Sequence, residues 1–430
     1  MEEEALPDDL VMDHTAARHK RSRTSDSGSS TSAESIHSTR TLNSEDFEFV
    51  QENGREYGNH TYFMPCDQLE QDRLTIQHQV FVHALKGKLT TTPISPLQCR
   101  ILDLGTGPGN WAVAMARQFP YAEVVGLDMA VWDLETTEEN GGSPQNVSWE
   151  IDDLDVWGED PHLSELTFNM EHFDPYRDPI TPRDTLESPS KSRQPRTPGE
   201  GDCSFDPLVL DPGPQVGWHF SEPFDLIHMR GMKGAFVHWE EVYAEIYKSL
   251  SPGGWVEVAD FELMLPEMPN SQLPPGDAAG NLSQTQPDNL PLPTIRKLYF
   301  AGMQAAWKGG RHLGTSYMHA TYLEDAGFKD IRTTYVNVPV GTWPEDREQK
   351  KIGKMFLVVL LESIETHLLR LLTQFGDADR LWSAEEVREQ VEQGKREIFD
   401  WSEGVGSADR KEGWCASFKW IIGRKSKNAE

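Results

Sequence analysis

The stretch Ile101-Leu102-Asp103-Leu104-Gly105-Thr106-Gly107-Pro108-Gly109-Asn110-Trp111 constrains the fold more than any other part of the chain. Apolar residues run into an acid, glycines follow at every second position, and Trp111, Val113, Ala114, Met115 and Phe119 open an amphipathic helical pattern. That order is a strand, a tight turn and a helix N-terminus. Glycine belongs in such a turn because a side chain would block the approach of backbone to a ligand, and because the turn can demand positive φ. The ligand of this loop therefore touches main chain.

Spacing narrows the ligand. A dinucleotide-binding loop places its third glycine or alanine three residues after the second, beside the pyrophosphate; here that residue is Asn110. The order Asp103-x-Gly105-x-Gly107-x-Gly109 instead resembles the nucleotide loop of class I S-adenosylmethionine-dependent methyltransferases. A second predicted strand, Glu123–Asp128, ends in an acid about 20 residues after the glycines, where a nucleotide-binding βαβ unit places its ribose acceptor. A third, Val147–Ile151, runs into Asp152 and Asp153, and an acid at its tip can accept from the adenine amine; Asp153 is the first choice and Asp152 the second. These positions and the three glycines form the predicted cofactor set.

The fourth predicted strand, Phe224–Arg230, carries His228 and Arg230 toward its C-terminal end, where ligands approach an open α/β sheet. A neutral His there can act as a base and an Arg can fix an anionic acceptor, or both can be structural partners of neighbouring carboxylates. Trp239, Val242, Tyr243, Ile246, Tyr247 and Leu250 lie on one helical face, Pro252-Gly253-Gly254 stops that helix, and residues 255–261 form a fifth strand. Further helices are predicted over 296–307, 317–326 and 346–373 and beyond the Ser383 to Glu386 capping box, with strands over 329–340 and 414–424. The fold class is α/β: a Rossmann-like, mostly parallel sheet with helices on both faces and an antiparallel last strand.

Three stretches fall outside that pattern. Residues 1–46 are polar and Ser/Thr-rich and are predicted to be disordered, leaving residues 47–430 as the folded domain. Within the tail, Arg18-His19-Lys20-Arg21-Ser22-Arg23 reads as a nuclear import signal or as a solvated charge cluster. Residues 158–216 read as a disordered insertion and 265–292 as a Pro-rich connection. Between the tail and the first strand, Asp67 is a predicted N-cap, and the segment before it is predicted to cover the cofactor through Tyr57 and Tyr62.

A formal charge of −30 argues against direct nucleic-acid binding, which needs clustered Lys and Arg on the phosphates. The longest apolar run, residues 355–361, is far short of the roughly 18 residues of a membrane span. The N-terminus lacks the apolar stretch of a secretory signal, and the 4 cysteines form no Cys-x-x-Cys pair, so a soluble protein of a reducing compartment without a metal site is expected.

Several blocks together resemble the LaeA-like methyltransferases of fungi, the group of the secondary-metabolism regulator LaeA and of UMTA. They are Glu52-Asn53-Gly54-Arg55-x-Tyr57, Pro65-Cys66-Asp67 with Glu70-Gln71-Asp72-Arg73-Leu74, the glycine loop, Ile151-Asp152-Asp153, Phe224-Asp225-Leu226-Ile227-His228-x-Arg230, Pro252-Gly253-Gly254-Trp255-Val256-Glu257, Ala326-Gly327-Phe328 and Trp343-Pro344. Pro108, Asn110 and the insertion depart from the family pattern but remove no glycine or acid. The resemblance implies S-adenosyl-L-methionine as methyl donor and a role in transcriptional regulation of secondary metabolism. It also implies velvet-domain partners and a nuclear, or nuclear and cytoplasmic, location. A pathway methyltransferase acting on a small fungal metabolite and a non-catalytic donor-binding scaffold are the alternatives.

Overall fold

The computed structural model describes residues 49–95, 99–132, 144–157, 217–266, 290–377, 380–404 and 413–428. The predicted tail, insertion and most of the Pro-rich connection lie outside them.

The strands β3 (Arg100–Leu104), β4 (Glu123–Asp128), β5 (Val147–Ile151), β6 (Phe224–Arg230), β7 (Leu250–Glu262), β8 (Lys329–Pro339) and β9 (Cys415–Arg424) form one sheet in the order β5-β4-β3-β6-β7-β9-β8. The pairs among β3 to β7 are parallel, whereas β9 runs antiparallel to both neighbours. From β3 the chain winds outward to β4 and β5, then crosses to β6 and β7 on the other side. Such a reversal opens a crevice at the C-terminal strand ends.

The run of apolar residues in the central strands follows from burial on both faces. Ile101, Val124 and Leu226 pack with Trp111, Ala112 and Met115 of α2 (Asn110–Gln118). Their neighbours Leu102, Val125 and Ile227 point the other way, onto Val242, Tyr243 and Ile246 of α3 (Trp239–Ser249). A third core joins β8 and β9 to α1 (Gln68–Ala84), α4 (Pro293–Lys308), α6 (Arg347–Gln374) and α7 (Ala384–Ser402). No helix among the described residues is long and apolar enough to cross a membrane.

Asp67 caps α1 by accepting from the Glu70 N–H, and Ser383 caps α7 by accepting from Glu386. The helix expected over 317–326 is divided: a 3₁₀ turn, Ser316–Met318, precedes α5 (Ala320–Asp325), because the His319 side chain accepts from the Thr321 N–H and starts a new helix. A hairpin of β1 (Val50–Glu52) and β2 (Arg55–Tyr57) precedes α1 and has no counterpart in the expectations above. Its turn is Asn53-Gly54 with φ of 52° and 77°, and positive φ at both central residues is what an Asn-Gly pair supplies to a tight hairpin.

Candidate active site

The C-terminal ends of β3 to β7 open into one cleft. Its floor begins at the glycine loop. The Gly105 and Thr106 N–H groups donate to the Leu127 carbonyl at 2.8 and 3.0 Å, folding the loop over β4. Gly105, Gly107 and Gly109 take φ of 69°, 56° and 75°, so any other residue would strain the turn before touching a ligand. A Cβ on Gly105 would also lie 2.5 Å from the Met232 sulfur.

Asp128, at the end of β4, holds the loop from below: its Oδ2 accepts from the Gly107 N–H at 2.8 Å and its Oδ1 from the Ala130 N–H at 2.9 Å. Burial raises its pKa, while these two donors act in the opposite sense. Each oxygen retains lone-pair capacity beyond its backbone donor. Asp152 and Asp153, after β5, line the same cleft, and burial raises the pKa of Asp152 as well.

Asp103, Gly105, Gly107, Asp128, Asp152, Asp153 and Arg230 are therefore brought together in one lining, as expected. Three other predicted residues are not. Tyr57 does not line the cleft; it is 1% exposed, with its ring 4.0 Å from the Arg370 guanidinium carbon, and burial pushes its phenol up to about 12. The neighbouring Tyr62 lines the cleft instead, within a segment from Gly58 to Cys66 that contributes much of one wall. Gly109 also stays out of the lining: it begins α2, and a Cβ there would lie 2.3 Å from the Trp149 ring, so this glycine serves packing.

His228 is the third correction. It is 1% exposed and stacked on Trp111 with ring centroids 3.7 Å apart, and its Nδ1 lies 2.8 Å from Asp103 Oδ1. Asp103 completes its own shell by accepting from the Thr106 hydroxyl at 2.7 Å. The imidazole thus props the acid behind the loop, out of reach of anything in the main cleft. His228→Leu is expected to cost about 1–3 kcal/mol of stability, because Asp103 Oδ1 is left buried without its partner. Urea denaturation measures this, and a loss of about a hundredfold or more in turnover in the variant with donor affinity unchanged would restore the role of base.

Arg230 reaches the cleft as a cation with no carboxylate at ion-pair distance among the described residues; its Nη1 donates to His78 Nδ1 at 3.2 Å. Burial lowers its pKa to about 10, against the pull of Asp103 and Glu257. The His78 imidazole is kept neutral, at about 3, by burial and then by the Arg230 charge.

Beyond Arg230 the cleft continues over β6 and β7, where sequence reading named nothing. Glu70 and Arg73 of α1 pair at 2.6 Å, and Arg73 also donates to Gln77 at 2.7 Å. The spacing of these three residues puts them on one face of α1, which is the signal that was available. Lys233 pairs with Asp260 at 2.8 Å, and Asp260 accepts from the Tyr317 hydroxyl at 2.5 Å. His367 of α6 completes this end, and nothing in its local sequence marks it.

Residues 76–330 match the model of a family described as methyltransferase domain. The secondary metabolism regulator LAE1 of Cochliobolus heterostrophus is 30% identical over 331 residues, which span 75% of this chain and 81% of that protein. The chain belongs to the LaeA-like methyltransferases. Two further relatives are the methyltransferase pytC of Aspergillus terreus, 25% identical over 339 residues (78% of each chain), and laeA of Emericella nidulans. The latter, named a protein-methionine methyltransferase, is 26% identical over 364 residues, 83% of this chain and 74% of that protein.

The cofactor of this LaeA-like methyltransferase is S-adenosylmethionine, and the cleft fits it. The glycine loop leaves backbone open to the ligand, Asp128 stands at the ribose-binding strand end, and Asp152 and Asp153 stand at the next. Arg230 supplies a buried positive charge suited to the one carboxylate the cofactor carries.

Proposed function

We propose that this LaeA-like methyltransferase acts in the regulation of secondary metabolism, with its methyl acceptor held over the ends of β6 and β7. One observation carries the placement. The residues suited to the donor line the cleft over β3, β4 and β5 with Arg230 of β6, and the same cleft continues past them, walled by Glu70 and Arg73 of α1, His367 of α6 and the segment containing Tyr62. The bound cofactor supplies an electrophilic methyl group on a sulfonium. The chain's own task is alignment and exclusion of water: the loop and the three strand-end acids fix one reactant, and the rest of the cleft orients the other.

The regulatory role is supported by the name of LAE1, and a nuclear location with velvet-type partners belongs to the same proposal. The match to pytC, named only a methyltransferase, supports the pathway reading. Donor binding by calorimetry followed by labelled donor in a fungal extract separates them. Label in protein is expected; label confined to small molecules favours the pathway enzyme, and absence of donor binding sinks both.

A further inference from the structure

Arg73, Lys233 and Arg230 are the Lys and Arg side chains that line the cleft among the described residues, and two of them already have a carboxylate. Arg73 pairs with Glu70 at 2.6 Å and Lys233 with Asp260 at 2.8 Å. Arg230 has none at ion-pair distance, although the charges of Asp103 and Glu257 act on it. Both acids pair in register with His228, two residues earlier on β6, so their attraction draws the guanidinium back along the sheet. A cation on a flexible stem needs a hold against that attraction if it is to face a ligand.

Two residues of α1 supply the hold. His78 Nδ1 lies 3.2 Å from Arg230 Nη1, and the guanidinium carbon lies 5.1 Å from the centre of the Phe81 ring. Arginine only donates, so Nδ1 accepts and the His78 proton sits on Nε2. Burial, then the Arg230 charge, keeps the ring neutral, as an acceptor must be. Leu74, Gln77, His78 and Phe81 recur at helical spacing, and the face they share lies along the donor end. A Cβ on Gly107 would meet Leu74 at 3.5 Å, and one on Gly231, next to Arg230, would meet Gln77 at 3.5 Å.

We infer that His78 positions Arg230 for the carboxylate of S-adenosylmethionine. This rests on the cofactor assigned above and adds the residue that aims its anion-binding group. His78 is absent from the cleft lining, so it acts through Arg230. It occupies one of the five N–H donors of the guanidinium and the Phe81 ring packs on the cation, which leaves donors for a two-pronged contact with a carboxylate.

The test uses the full chain and two probes, S-adenosylmethionine and its decarboxylated form, which keeps the nucleoside, the sulfonium and the amine. Calorimetry gives the Kd of each. The wild type is expected to bind the first about tenfold or more tighter than the second. His78→Leu is expected to weaken S-adenosylmethionine by about tenfold and to leave the decarboxylated form within about twofold. His78→Asn, whose amide oxygen falls near the Nδ1 position, should recover most of that loss. In an Arg230→Met background, adding His78→Leu should change S-adenosylmethionine affinity by less than about twofold, because the group it positions is gone. A wild type that binds S-adenosylmethionine no tighter than the decarboxylated form overturns the inference. So does a Leu variant that weakens both probes alike or neither, an Asn variant as impaired as Leu, or the full further loss in the Arg230→Met background. A wild type that binds neither probe overturns the cofactor assignment first, and this one with it. If the Leu variant does not fold, nitrogen NMR of the wild type decides. The His78 Nδ1 resonance should move more with S-adenosylmethionine than with the decarboxylated form, and equal movement, or none with the first, overturns the proposal.

Discussion

Asp128→Ala is expected to weaken S-adenosylmethionine binding by about a hundredfold or more while the protein still folds. Two losses combine. The carboxylate that would accept from the ribose hydroxyls disappears, and the Gly107 N–H, now held at 2.8 Å, loses the acceptor that fixes the loop. Hydrogen bonds to a charged group contribute about 1.5–3 kcal/mol each, and 1.4 kcal/mol is about tenfold in affinity. Titration calorimetry measures the change, and a variant within about threefold of wild type would remove Asp128 from the donor site.

The same residue predicts a pH dependence. Burial raises the Asp128 pKa, so the carboxylate is lost at a higher pH than for an exposed aspartate. Donor affinity is expected to fall as pH is lowered through the raised Asp128 pKa, at a higher pH than for an exposed aspartate. For stability the sign is opposite. A raised carboxyl pKa gives a contribution fully present below the unfolded value and lost as pH rises through the folded one, so mild acid should favour the donor-free fold at this position. Calorimetry and donor-free melting across that pKa should show opposing trends from this group, and Asp128→Asn should flatten both.

Arg370→Met is expected to lower stability by about 3 kcal/mol, the low end of the range for breaking a buried pair, because Glu52 remains 24% exposed. The guanidinium, on a residue 1% exposed, holds four groups from the N-terminal segment. Its Nε donates to Glu52 at 3.0 Å, its Nη1 to the carbonyls of Asn59 and Tyr62 at 2.8 and 2.7 Å, and its face covers the Tyr57 ring. Met keeps the apolar stem and abandons every acceptor. Urea denaturation with the donor absent measures the cost; a loss under about 0.5 kcal/mol would mean the segment is held elsewhere.

Most of the fold was legible because its signals are local. Apolar runs bounded by glycines gave the five parallel strands, and caps such as Asp67 and Ser383 announced their helices. The shared lining was legible for the same reason: Asp103, Gly105, Gly107, Asp128 and Asp152 lie at or just after strand ends, and their spacing along the chain brings them to one side of the sheet. Tyr57 and His228 misled because a conspicuous residue at a favourable strand position carries no sign of which way it faces. Tyr57 turns under Arg370, from which it is separated by most of the chain, and His228 turns back onto Trp111 and Asp103. The end of the cleft over β6 and β7 was hidden because it joins α1 to α6, and no local pattern records such a meeting. Asn53-Gly54 did carry its hairpin signal, and it went unused.

The position of β9 between β7 and β8 has a consequence for how the protein is made. Every other neighbouring pair in the sheet is available once its later strand has left the ribosome, and the half that binds the donor can close early. β8 is different. It has no hydrogen-bonding neighbour in the sheet until α6, α7 and then β9 have been synthesised, so its backbone and the flank of β7 stay open during that interval. A nascent chain arrested before β9 should therefore already show a folded donor-binding half while its outer strands remain dependent on holding factors, and the final strand completes the sheet from within.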